Sequence, residues 1–144
     1  MNAAPVRAHP DGEAPARVLA LFVAANGSID SNEIGTLERL GAFRRLGVGR
    51  KRFVEMAQRC IDEVGSGLCE RSWLRVSDLD HVNALLDAVD DESMRLLVLR
   101  LSAAAITADG RVSGDERMVY EHALARWRIR PQQVSEAFLQ DTSN

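Results

Sequence analysis

The chain has 144 residues, 46% of them hydrophobic and 27% charged, with a formal net charge of −3. That is the make-up of one globular domain with a sizeable core, and it speaks against a nucleic-acid binder or an acidic disordered tail. Two cysteines, Cys60 and Cys69, give neither a metal spacing nor a disulfide framework, so free thiols in a cytoplasmic protein are the expectation.

Residues 1–13 hold two prolines and no apolar run. They read as a disordered arm and not as a secretory signal, which places the domain at 14–140. From there apolar residues recur at the i, i+3, i+4, i+7 spacing of helices, and β-branched runs of period two are absent. Val18, Leu21, Phe22 and Ala25 form the first stripe, and Ile34, Leu37, Leu40 and Gly41 the second. Phe53, Ala57, Cys60, Ile61 and Val64 form the third. The stretch Ser66–Val76 is aperiodic and reads as a loop pinned by Trp73. Leu79, Val82, Leu85, Leu86 and Val89 form the fourth stripe. The fifth, Met94 to Ala108, is apolar nearly all round and is expected to be the central buried helix. It is interrupted by Arg100 and falls short of the ~20 residues of a membrane span, so no span is expected. Met118–Ile129 and Val134–Leu139 complete an all-α bundle of about seven helices. Gly27, Gly47, Gly65 and Gly110 stand where helix-ending glycines belong, and Pro131 where a helix begins. Ser77 and Asp90 are the expected N-caps of the fourth and fifth helices.

Two stretches align. Ala24–Glu33 reads AANGSIDSNE and Thr107–Glu116 reads TADGRVSGDE. Asn26-Gly27 meets Asp109-Gly110, Ile29 meets Val112, Glu33 meets Glu116, and Leu37 meets Tyr120. Each copy follows a small-residue helix and opens a new one, so the expectation is an internally duplicated helix–turn–helix hairpin. Much of this chemistry is helix capping. Ser113 with Glu116, and Asp30 with Glu33, have the spacing of a capping box, and acids suit the positive end of a helix. Capping does not require Asp109 or Asp115. The second half of each turn also matches a calcium-binding loop, but its first ligand positions fall on Ala105 and Thr107, or Phe22 and Ala24, inside helices. An isolated loop site is therefore rejected. A site pooling Asp109, Asp115 and Glu116 with Asp30, Glu33 and Asn26 would need the two turns to meet, and its ion would be Ca, Mg or Zn.

At these residues the chain resembles the TerB-like (tellurite-resistance protein B) family, which also includes the N-terminal region of a membrane-anchored DnaJ-type co-chaperone. The shared feature is the turn ADG-[IV]-x-x-x-E in two copies. The second copy matches closely, and the first carries Asn26 where the family has aspartate. The resemblance spans roughly residues 14–140. It implies an all-helical fold and no established enzymatic activity. It also implies a link to tellurite and stress resistance, and a protein partner that is often membrane-associated. Metal binding is implied at Asp109 and Glu116, with Asp30 and Glu33 in the weaker copy. Asn26 keeps a neutral oxygen ligand but lowers the charge of that copy.

Two further classes of function stand beside this one. A metal-dependent enzyme would use the same carboxylates and should bring His81 or His122 beside Asp109 and Glu116. A structural adaptor would bind no ligand. Arg39, Arg44, Arg45, Arg50, Lys51 and Arg52 fall in an acid-free stretch, while Asp78, Asp80, Asp87, Asp90, Asp91 and Glu92 fall in a stretch free of lysine and arginine. They read as solvated faces, or as faces that pair across the bundle, the alternative being an anion or partner surface. Cys60 reads as core, and Trp73 and Trp127 as core or interface anchors.

Overall fold

A computed structural model describes residues 3–25, 29–64, 76–107 and 114–134, and all regular structure among them is helical. The elements are α1 (Ala3–Ala24), α2 (Ser31–Arg39), α3 (Ala42–Leu46), α4 (Arg50–Val64), α5 (Val76–Asp87), α6 (Glu92–Ile106) and α7 (Gly114–Trp127). A further helical turn at 131–134 begins at Pro131, whose fixed φ suits a first turn. The expected last helix lies outside the described residues beyond Val134, as does the expected loop Ser66–Val76 with Trp73 up to residue 75, its last residue Val76 instead opening α5; Gly27, Gly65 and Gly110 also lie outside them. No described helix is long and apolar enough to cross a membrane.

The axis of the bundle is α1. Every residue from Val18 to Ala25 is buried, and the helix packs on α3, α4, α5, α6 and α7. Helix α6, expected at the centre, instead shares that place. The run Val18–Ala25 has no polar side chain, whereas α6 carries Arg95 and Arg100, which turn part of its surface outward. Leu97, Val98, Leu99, Leu101, Ala105 and Ile106 still face the core. Helix α1 also begins at Ala3, upstream of the residue 14 at which the sequence reading starts the domain.

Helix α2 packs on α6 and α3, while α7 packs on α1, α5 and α6. Phe22, near the end of α1, meets Tyr120 of α7 edge to face, ring centroids 6.1 Å apart. Phe43 of α3 and Phe53 of α4 pack at 5.2 Å. Full burial of side chains such as Leu19, Leu21, Phe22, Leu37 and Phe53 stabilises the fold by about 1.5–3 kcal/mol each.

The caps explain most boundaries. Asp30 is the N-cap of α2, accepting from the Asn32 N–H at 2.7 Å. Asp91, one residue beyond the expected Asp90, caps α6 and accepts from the Met94 N–H at 3.2 Å. Helix α5 starts at Val76, so Ser77 lies inside it and is not its cap. The second stripe is expected to run through Gly41. The chain breaks there instead, because Gly41 takes φ 70° and opens the short helix α3. Gly47, at φ 76°, ends α3 as expected.

Candidate functional site

Charged side chains rarely enter a helical core. Among the described residues only Glu33 and Glu116 do so, at 4% and 2% relative exposure. They are the pair that the alignment of the two turns matches. Glu33 is the third residue of α2 and Glu116 the third of α7. At that position a carboxylate stands among backbone N–H groups that have no partner within the helix, at the positive end of the macrodipole. Both glutamates engage further groups around them. The neighbouring cap, Asp30, is half-buried and its carboxylate is committed to the Asn32 N–H. That bond reaches the second residue of α2, one short of the capping-box pattern expected from the sequence.

Of the other expected ligands, Asn26 and Asp109 lie outside the described residues, as does the side chain of Asp115 in the first turn of α7. Among the described residues no three His, Cys, Asp or Glu side chains form a metal-holding group. The Phe22–Tyr120 contact ties the end of the helix entering the first turn to the helix leaving the second. Leu37 and Ala105, the positions that the alignment matches to those two rings, are both fully buried where α2 packs on α6.

The imidazoles are placed elsewhere. His122 Nε2 lies 2.7 Å from Asn83 Oδ1, across the α5–α7 seam. Six residues separate it from Glu116, about 240° round the helix and ~9 Å along it. Burial, and then the charge of Arg126, lower its pKa below the usual imidazole value. His81 lines a cavity between α1, α4 and α5. The same seam that holds His122 is closed by Arg126, which grips Asp87 with two bonds of 2.8 and 2.7 Å. The Arg126 hydrogen bond is the main reason the Asp87 pKa is lowered. Trp127 is a core anchor, as the sequence suggests. Its Nε1–H donates to the Leu86 carbonyl at 3.0 Å, and Arg95 lies 5.4 Å over the ring.

Several of the segregated charges have local partners. Arg50 bonds Glu38 at 2.7 Å, Arg39 bonds Thr36, and Arg52 bonds Glu13. Asp87 pairs with Arg126 and Asp91 caps α6. Sequence reasoning missed the cavity at His81, which is lined by Arg17, Arg52, Met56, Arg59, Cys60 and Leu85 as well. One part of it was legible. Arg52, Met56, Arg59 and Cys60 follow the i, i+4, i+7, i+8 spacing of a single helix face. What Arg17 and His81 add comes from packing alone.

Comparison with protein-family models, with curated proteins and with solved structures returns no match.

Proposed function

We propose that the chain is a non-enzymatic, TerB-like helical module, built on a duplicated hairpin, that works by contact with a protein partner and takes up a divalent cation at its acidic turns. The observation that carries this reading is the matched burial of Glu33 and Glu116. An interior carboxylate is destabilising unless charge or hydrogen bonds compensate it. Surface capping residues do the same helix-terminal work while staying in water, as Asp91 does. Placing the glutamate inside, twice, at positions matched in the two turns, fits a carboxylate presented to a shared ligand. Carboxylate and amide oxygens as ligands favour a hard cation, calcium or magnesium ahead of zinc. A partner bound to a membrane and a cytoplasmic setting belong to the same reading.

The test is thermal unfolding with calcium, magnesium or zinc. Binding should raise Tm, with a gain of about 2.7 kcal/mol when the ion stands at ~100 times its Kd. Glu116→Gln combined with Asp109→Asn should abolish the shift, and Glu33→Gln should reduce it. No shift with any of the three ions at millimolar concentration would leave a ligand-free adaptor whose glutamates only serve the helix ends. A pull-down from lysate, with and without the ion, then tests the partner.

A further inference from the structure

The cavity between α1, α4 and α5 has a volume of about 50 Å³, room for a few waters or one small polyatomic ion. Its lining is unusual for so small a space. Arg17 comes from α1, Arg52 and Arg59 from α4 and His81 from α5, over a floor of Met56, Cys60 and Leu85. Arg17 and Arg52 are held in place by a shared carboxylate. Glu13 accepts from Arg52 at 3.0 and 3.2 Å and from Arg17 at 3.2 Å. Glu55 stands farther off, 3.9 Å from Arg52. Arg59 has no ion pair or hydrogen bond among the described residues. Among the described residues, three guanidiniums therefore meet two carboxylates, and positive charge is left over.

Each guanidinium offers five N–H donors. Arg17 commits one of them to Glu13 and Arg52 two. The remaining donors belong to helices α1 and α4, and His81 lines the same cavity from α5. A planar carboxylate matches a single guanidinium fork, and Glu13 already supplies one. Donors converging from several directions match a tetrahedral oxyanion better. The apolar floor strengthens such contacts by lowering the local dielectric.

We propose that this cavity binds a small dianionic oxyanion of the phosphate type, either free or as the phosphate group of a small monoester. Glu13 acts as the fixed brace of two of its arginines, and Arg59 is the donor that only the ligand engages. This site is separate from the acidic turns, and its test is independent of theirs.

The experiment is isothermal titration with inorganic phosphate and, in a second arm, glycerol 3-phosphate, against sodium chloride at matched ionic strength. One-to-one binding of either phosphate is expected, and the tighter arm identifies the source. Arg59→Gln should weaken it by about tenfold or more, as loss of a charged hydrogen bond does. The unliganded melting temperature should not move, because Arg59 is exposed. Bound phosphate should also slow alkylation of Cys60 in the cavity floor, read by peptide-resolved mass spectrometry. Heats equal to those of chloride at ~10 mM ligand overturn the proposal. Unchanged affinity in Arg59→Gln, or unprotected Cys60 at saturation, does so equally.

Discussion

Helices α2 and α7 leave turns written in nearly the same residues, yet they are anchored by different means. Helix α2 is nine residues long, capped by Asp30 and held by Ile34 and Leu37 in the core. It stops at Leu40, where Gly41 turns the chain into α3. Helix α7 runs for fourteen residues and is stitched to α5 by three polar contacts: His122 with Asn83, Arg126 with Asp87, and Trp127 with the Leu86 carbonyl. The anchoring follows the neighbour. Helix α5 presents amide, carboxylate and a helix-terminal carbonyl to α7, whereas the main partner of α2 is the apolar face of α6. The buried glutamates do not follow the neighbour: each is the third residue of its helix, whether the helix packs chiefly on α6 or is stitched to α5. The proposed cation site rests on that shared placement, and the other contacts are packing.

The contrast predicts different sensitivities. Trp127→Ala should destabilise most, by about 3–5 kcal/mol, since it removes a buried ring and leaves the Leu86 carbonyl without its donor. Trp127→Phe isolates the polar part and should still cost about 1–3 kcal/mol. Leu37→Ala in α2 should cost about 2–5 kcal/mol through the cavity alone. Urea unfolding measures all three. If Trp127→Phe is neutral, α7 is held by apolar burial just as α2 is, and the contrast collapses.

A second way to separate the two anchors is pH. The folded state lowers the His122 pKa below 6.5, mainly by burial. Between the unfolded and folded values the unfolded chain binds more protons, so stability is full above about pH 6.5 and falls as pH drops through that window. The Asp87 carboxyl, lowered chiefly by its hydrogen bond to Arg126, adds a further loss only below the ordinary aspartate range, about pH 4. Unfolding free energies from pH 7.5 to 5 should slope downward, and His122→Asn should flatten that slope. The same slope in wild type and variant would move the effect to another histidine. Helix α2 carries no histidine, so variants there should leave the slope alone.

Helical class, the Asp30 cap, the Gly47 terminus and most of the core stripes are legible, because each rests on local sequence chemistry; Leu40, read into the second stripe, is instead exposed where α2 ends. The missed features are those set by distant partners. Asp90 and Asp91 offer equal capping chemistry, and only packing selects Asp91. Helix α3 is five residues long, too short for any periodic signal. The exchange of central place between α1 and α6 depends on which apolar helix the others surround. At the candidate site, the spacing identified Glu33 and Glu116 as capping residues but could not show that both point inward. Arg17 and His81 lie on helices remote in sequence from α4, and nothing local announces that they share a cavity with Arg59.

The smallest effect tests the ends of two helices that close in the same way. At α3 the Val48 N–H reaches the Phe43 carbonyl at 3.0 Å and the Gly47 N–H reaches the Arg44 carbonyl at 3.2 Å. At α7 the Ile129 N–H reaches the Leu124 carbonyl at 3.0 Å and the Arg128 N–H reaches the Ala125 carbonyl at 3.2 Å. Both ends place one residue in the left-handed region, Gly47 at φ 76° and Arg128 at φ 58°. Only the first is glycine, so α7 closes against a steric penalty of about 1 kcal/mol. Arg128→Gly should therefore stabilise by up to about 1 kcal/mol, less the entropy that glycine adds to the unfolded chain. Gly47→Ala has open space around the new methyl and should destabilise by about 1 kcal/mol through backbone strain alone. Opposite signs at two ends with matching hydrogen bonds would show that α7 tolerates a poor terminus because its seam with α5 holds it. Equal signs would mean that the termini, and not the seam, set how firmly each helix is tied down.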